Sequence, residues 1–73
     1  MNADEKTYFA AWSAFDSGRH RPAFRLAARG AGQGNILCCG LLGFFYDAGY
    51  GTRRDAAKAL AWYKKEWRFA PHG

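Results

Sequence analysis

The sequence has few of the residues that stabilise very small domains. Its 73 residues include two cysteines, Cys38 and Cys39, and two histidines, His20 and His72. The two cysteines are adjacent in an apolar segment that is predicted to be helical. Neighbouring side chains of a helix point about 100° apart, which argues against a disulfide between them. Both cysteines are therefore predicted to be buried, free thiols. The isolated histidines and the missing spacer between the cysteines argue against a zinc site. We therefore expect no cofactor. Association with a partner remains as the way to stabilise a fold with so small a core.

A long apolar run is also missing. A membrane-spanning helix needs roughly 20 apolar residues, whereas the longest apolar segment, 36–46, is about half as long and contains Gly40 and Gly43. Residues 1–6 have neither the basic start nor the apolar stretch of a secretory signal. Together with the free thiols, these features predict a cytoplasmic protein that does not enter a membrane.

The sequence offers little for catalysis. Asp16, Asp47 and Asp55 each lie beside a predicted turn or helix cap, so structural roles are expected for them. The glycines of segment 30–34 lack the preceding strand of a dinucleotide-binding motif and the lysine of a phosphate loop, and they are predicted to form a turn. Both thiols lie in the most apolar helix, away from a histidine base. We expect that the chain is not an enzyme.

Apolar residues recur with the spacing of four helices, and no segment alternates as a strand does. Three helices are predicted at about 2–17, 35–48 and 52–68, and another has Pro22 in its first turn and ends within segment 30–34. Asn2 and Glu5 form a candidate capping box, and Thr52 or Asp55 can cap the fourth helix. The sequence therefore predicts a single all-α domain of two antiparallel helix hairpins, at about 3–31 and about 34–69.

Each predicted helix has an apolar face that should be buried. The predicted buried residues are Tyr8, Ala11, Trp12 and Phe15 in the first helix, Ala23, Phe24, Ala27 and Ala28 in the second, and Ala56, Ala59, Leu60, Tyr63 and Trp67 in the fourth.

The two hairpins are versions of each other. Ala23 and Leu26 match Ala59 and Trp62 at an offset of 36 positions. Phe15 and Gly18 match Tyr46 and Gly49 at an offset of 31 positions. The first hairpin therefore has a loop five residues shorter than the second.

The second hairpin carries a specific pattern of spaced residues. The pattern consists of Leu42-Gly43, Tyr46, Gly49, Gly51, Asp55, Lys58-Ala59, Trp62-Tyr63 and Lys65. It resembles the Sel-one-like repeat, a relative of the tetratricopeptide repeat, over about residues 23–65. The departures at Glu66 and Trp67 are interpreted as a cap, which favours a complete chain. The resemblance implies a short right-handed α-solenoid. Members of the family act as scaffolds, adaptors or regulators of protein complexes in many bacteria and also in eukaryotes, and the resemblance implies no catalysis.

The third helix is apolar on more than one side, so part of it could be left for a partner. The candidate aromatic anchors are Phe44, Phe45, Tyr46, Tyr50, Trp62 and Trp67. The alternative is that the other helices enclose these side chains completely and that they only fill the core.

Basic residues form two rows on the predicted helices, and the net charge is +5. One row consists of Arg54, Lys58, Lys65 and Arg68 and is extended by Arg53; the other consists of Arg21, Arg25 and Arg29. Such rows attract acidic surfaces, although a solvated helix face is their ordinary role.

The predicted function is a small interaction module, of bacterial or phage type, that binds another protein as an adaptor or inhibitor. Its partner is expected to have an acidic surface. One alternative is self-assembly of two copies through the third helix. The other is binding of nucleic acid through the basic rows, although the sequence carries no motif known to recognise nucleic acid.

Overall fold

Four helices make up the fold in a computed structural model that describes the backbone of residues 3–69 and the side chains of residues 5–65. They are α1 (Ala3–Asp16), α2 (His20–Gly32), α3 (Ile36–Ala48) and α4 (Ala56–Phe69), with no strand between residues 3 and 69. The predicted all-helical fold is confirmed. The capping box predicted at Asn2 lies outside the described residues. None of the four helices is long and apolar enough to cross a bilayer.

Each helix packs against its neighbour in the chain. α1 packs on α2, α2 on α3 and α3 on α4, whereas α1 meets α3 only lightly and neither α1 nor α2 contacts α4 within the described range. The two antiparallel hairpins, α1 with α2 and α3 with α4, are therefore joined through the α2–α3 contact into a small helical stack.

The ends of α3 and α4 follow from local hydrogen bonds. Asn35 precedes α3, and its Oδ1 accepts a hydrogen bond from the backbone N–H of Cys38 at 3.2 Å. Gly49, at φ 78°, ends α3 in a left-handed conformation that glycine adopts without strain. Of the two caps considered for α4, Asp55 is observed, because its Oδ1 accepts from the N–H of Lys58 at 3.0 Å.

Gly30 has a packing role that the turn prediction missed. α2 ends at Gly32, within the segment 30–34 where its end is predicted, but Gly30 and Gly32 are helical and do not belong to the turn. A Cβ at residue 30 would lie 2.9 Å from the Cβ of Cys38 and 3.2 Å from Cγ2 of Thr7. Glycine is needed here because α2 and α3 approach closely, and Gly34, at φ 87°, provides the turn itself.

Small residues dominate the core. Its buried members are Ala11, Ala23, Ala27, Ala31, Cys38, Cys39, Leu41, Leu42 and Phe45. Both cysteines are buried and free, as predicted. The predicted faces of the first two helices are confirmed, since their residues are buried or pack against this core.

The predicted face of the fourth helix is partly wrong. Ala59 is buried and Tyr63 half-buried, but Ala56 and Leu60 are exposed. The reason is that α3 is the only helix that α4 contacts within the described residues, and one neighbouring helix covers only part of the apolar face of α4. The side chain of Trp67, predicted on the same face, lies outside the described residues.

Candidate functional site

An open apolar groove lies between α1 and α3. It has a volume of about 310 Å³, and its lining residues are Tyr8, Trp12, Leu37, Gly40, Leu41 and Phe44. Residues three or four positions apart lie on the same side of a helix, so each helix contributes one row to the groove. The space between the two helices remains open because α1 and α3 make few contacts with each other. We call it the α1–α3 groove.

The aromatic rings of the groove hold one another in place. The Trp12 and Phe44 rings stack across it, with centroids 6.5 Å apart and an angle of 27° between the ring planes. The rings of Tyr8 and Phe15 contact Trp12 edge-on, at 6.4 and 5.6 Å. Rings fixed in this way lose little conformational freedom when a ligand binds, which favours affinity.

Two of the large, strongly exposed apolar side chains belong to this region. Leu37, on the wall of the α1–α3 groove, is 47% exposed. Phe9 is 54% exposed and contacts the Tyr8 ring edge-on at 5.6 Å. Exposed apolar surface next to a preformed groove is typical of a binding site for another molecule.

The charges are divided between the two pairs of helices. Within residues 5–65, α1 and α3 carry Glu5, Asp16 and Asp47 but only one basic residue, Lys6. In the same range α2 and α4 carry no acidic residue and six basic ones: Arg21, Arg25, Arg29, Lys58, Lys64 and Lys65. Within this range α1 and α3 together are therefore net acidic, and α2 and α4 together are net basic.

The predicted aromatic anchors differ widely in their exposure. Phe44 lines the α1–α3 groove. Phe45 is 0% exposed, so its side chain is enclosed by the other helices and has no free surface in this structure. Tyr46 is half-buried and contacts the Phe24 ring edge-on at 5.3 Å.

Of the remaining aromatic candidates, Tyr50 lies beside the groove residue Phe44, and Trp62 lies on α4. Tyr50 is half-buried, and its ring lies 5.6 Å from Phe44, 5.0 Å from Phe15 and 4.8 Å from His20. Trp62 packs against the core from α4, and the Nζ of Lys65 lies 4.3 Å from its ring centroid. The side chain of Trp67 lies outside the described residues. Among the described candidates, Phe44, Phe45 and Tyr50 therefore lie together, whereas Tyr46 and Trp62 pack elsewhere.

The arginines of α2 form a row at the surface. Arg21, Arg25 and Arg29 are all exposed, and their spacing of four residues places them on one side of the helix. Arg25 and Arg29 also line an open depression of about 430 Å³ together with Pro22 and Leu26.

The second basic row is partly engaged within the molecule. Arg53 and Arg54 are exposed, and the Nε of Arg54 donates a hydrogen bond to the backbone oxygen of Asp47 at 2.9 Å. Lys58 is exposed, with its Nζ 5.6 Å from the ring centroid of Tyr46. The side chain of Arg68 lies outside the described residues. None of the described members of either basic row lines the α1–α3 groove.

The sequence did not identify most of the groove. Tyr8 and Trp12 are predicted on the buried face of the first helix, and Leu37 and Leu41 belong to the apolar third helix, but none of the four is among the predicted contacts for a partner. The signal in the sequence is the pair of apolar rows on the first and third helices. Which apolar rows face each other depends on how the two hairpins pack. The spacing of apolar residues along each helix does not specify this packing.

Comparisons with known proteins found no relative: the chain matches no protein-family model, no curated protein and no solved structure. Among the described residues, no three histidine, cysteine or acidic side chains are grouped so that they could hold a metal ion. A functional assignment therefore depends on the groove and on the charges around it.

Proposed function

We propose that this chain is a Sel-one-like helical-repeat module that acts in the cytoplasm, without catalysis, as an adaptor or inhibitor of another protein. The observation that carries the proposal is the α1–α3 groove, which is open and apolar. The Trp12 and Phe44 rings stack across it, and the half-exposed side chain of Leu37 lies on its wall. Such a groove accepts apolar side chains of a protein segment and excludes water around them.

The charged residues near the groove indicate which kind of protein segment would bind there. Asp16 and Asp47 are exposed and lie one helical turn beyond Trp12 and Phe44, where the two rows end. A segment with apolar side chains in its centre and a basic residue at one end complements this arrangement. The arginine row of α2 favours acidic groups on the remaining surface of the partner, because guanidinium groups bind carboxylates in two-pronged contacts.

Affinity capture tests the groove with a matched pair of variants. Leu37→Glu places a charge in the groove, and Leu60→Glu makes the same change at a similarly exposed leucine on α4. A protein recovered by the wild type and by Leu60→Glu, but not by Leu37→Glu, supports the proposal. Circular dichroism checks that both variants remain helical.

The recovered protein is then purified and its affinity measured directly. Leu37→Glu is expected to weaken binding at least about tenfold, as changes at central interface residues do. Equal affinity of Leu37→Glu and wild type, with the fold unchanged, would show that the groove is not the binding site. If both variants failed to bind, the contact would not be specific to the groove.

A further inference from the structure

The arginine row of α2, formed by Arg21, Arg25 and Arg29, lies opposite the buried side of the helix. Its members are four residues apart and exposed, whereas Ala23 and Ala27 on the other side are 0% exposed. A helix rises about 1.5 Å per residue, so successive arginines follow one another at about 6 Å along α2. Three guanidinium groups are therefore presented to solvent on one side of this helix.

The guanidinium groups of this row have no partner within the described chain. None of the three makes a hydrogen bond, an ion pair or a ring contact there. The other basic row differs, because Arg54 donates a hydrogen bond to the backbone oxygen of Asp47 and Lys58 lies over the ring of Tyr46. The charges of the α2 row therefore remain available for another molecule.

The acidic side chains of the described residues lie on other sides of the molecule. α2 itself carries no acidic residue. Glu5 and Asp16 lie on the groove side of α1, because each is one helical turn from a residue of the α1–α3 groove. Asp47 lies one turn beyond a groove residue of α3, and Asp55 caps α4, which does not contact α2 in the described range. The exposed Arg19 precedes α2 and adds positive charge. An acidic surface therefore complements this row.

An apolar depression lies beside the arginines. Arg25 and Arg29 line it together with Pro22 and Leu26, and it is open to solvent, with a volume of about 430 Å³. Pro22 and Leu26 are half-buried, so part of each apolar side chain is at the surface. The aliphatic stems of arginines extend such apolar surface, while their charged ends stay in water. A partner that fits this region combines acidic groups with an apolar side chain.

The spacing of the row distinguishes a helix of another protein from other partners. A helix with acidic residues every four positions has the same repeat of about 6 Å as the arginines. A single nucleic-acid strand is less suitable, because its bases stack on aromatic rings and no described aromatic residue lines the depression. A second copy of this chain is also less suitable, because no helix between residues 3 and 69 has acidic residues four positions apart.

We propose that an acidic amphipathic helix of another protein binds along α2. Its carboxylates, one turn apart, pair with Arg21, Arg25 and Arg29, and an apolar side chain between them enters the depression. A guanidinium group can bind a carboxylate through two parallel hydrogen bonds, a geometry that lysine lacks. The inference rests on the proposed function, the binding of another protein, and assigns a second contact region outside the α1–α3 groove.

Two designed peptides test the spacing, with affinities measured by isothermal titration calorimetry at low ionic strength. The first is an alanine-rich helix of about 20 residues with three glutamates at intervals of four positions and one leucine beside them. The second has the same composition, but its glutamates are five positions apart, which spreads them around the helix. Circular dichroism checks that both peptides are equally helical. The first peptide is expected to bind at least about tenfold more tightly than the second.

A matched pair of charge reversals locates the contact on α2. Arg25→Glu reverses the central charge of the row and should weaken binding of the first peptide at least about tenfold, because like charges then face each other. Lys64→Glu is the control, since it changes the net charge equally at an exposed residue of α4. It should bind the peptide like wild type. Circular dichroism checks that both variants remain folded.

Four results would overturn the proposal. They are no binding of the first peptide to the wild type at millimolar concentration, equal affinity for both peptides, equal weakening by both variants, and tighter binding of a single-stranded oligothymidylate with the same number of charges. The peptide measurement does not depend on capture with Leu37→Glu. Failure of the arginine row can therefore be told apart from failure of the α1–α3 groove.

Discussion

Because α2 and α3 approach closely at Gly30, we expect Gly30→Ala to destabilise the fold. The new Cβ would lie 2.9 Å from the Cβ of Cys38 and 3.2 Å from Cγ2 of Thr7. Carbon atoms pack best at about 3.5–4.0 Å, so the helices would have to separate by roughly 0.6 Å or more. The Cβ of Cys38 is bonded to the backbone, and rotation of the side chain therefore cannot relieve the contact.

The size of the effect follows from two opposing contributions. Overpacking a tight core costs about 1–3 kcal/mol, and the upper part of this range applies because Sγ of Cys38 is also too close to the new methyl group. Alanine is favoured over glycine in a helix interior by about 0.5–1 kcal/mol. The net loss is about 2 kcal/mol, which lowers the Tm of a domain of this size by roughly 8–16 °C.

Thermal and urea unfolding, followed by circular dichroism, measure this loss. Gly32→Ala is the matched control, because it is the same substitution in the same helix at a position where a Cβ meets no atom within 4 Å. Gly32→Ala should be neutral or stabilise the fold by up to about 1 kcal/mol. Equal stability of the two variants would refute the close approach of α2 and α3.

Two further predictions concern the helix caps and the thiols. Asn35→Ala should cost about 1–2 kcal/mol in the free energy of unfolding, because the N–H of Cys38 loses a buried acceptor. Asp55→Ala, at an exposed cap, should cost about 1 kcal/mol or less; a larger loss at Asp55 than at Asn35 in urea titrations would contradict this ranking. Cys38 and Cys39 are buried, so a thiol-reactive reagent should modify them many-fold more slowly in the native chain than in urea. Equally fast modification in both conditions would show that α3 is not enclosed.

Helix positions could be predicted from the sequence because their signals are local. Asn35, Gly49 and Asp55 define helix ends through hydrogen bonds and backbone conformations that involve only nearby residues. The faces of α1 and α2 were also predictable, since apolar spacing identifies the side of a helix that must be buried.

The candidate site was less predictable because it depends on distances between helices. Phe45 and Phe44 are adjacent and chemically identical, yet one is fully buried and the other lines the groove. Gly30 has the sequence signature of a turn but serves a helix contact. The exposure of Leu60 depends on how many helices contact α4, and apolar spacing does not encode that number.

The order of contacts along the chain has a consequence for how the protein folds. Each described helix packs chiefly on the one that precedes or follows it, so nearly all loops that must close during folding are short. Short loops lose little entropy on closing, and chains with such local contacts fold rapidly. Within the described residues, the α2–α3 contact that joins the two hairpins is less extensive than the contact within either hairpin. We therefore expect local opening to begin with separation of the hairpins, while each hairpin keeps its own two helices packed.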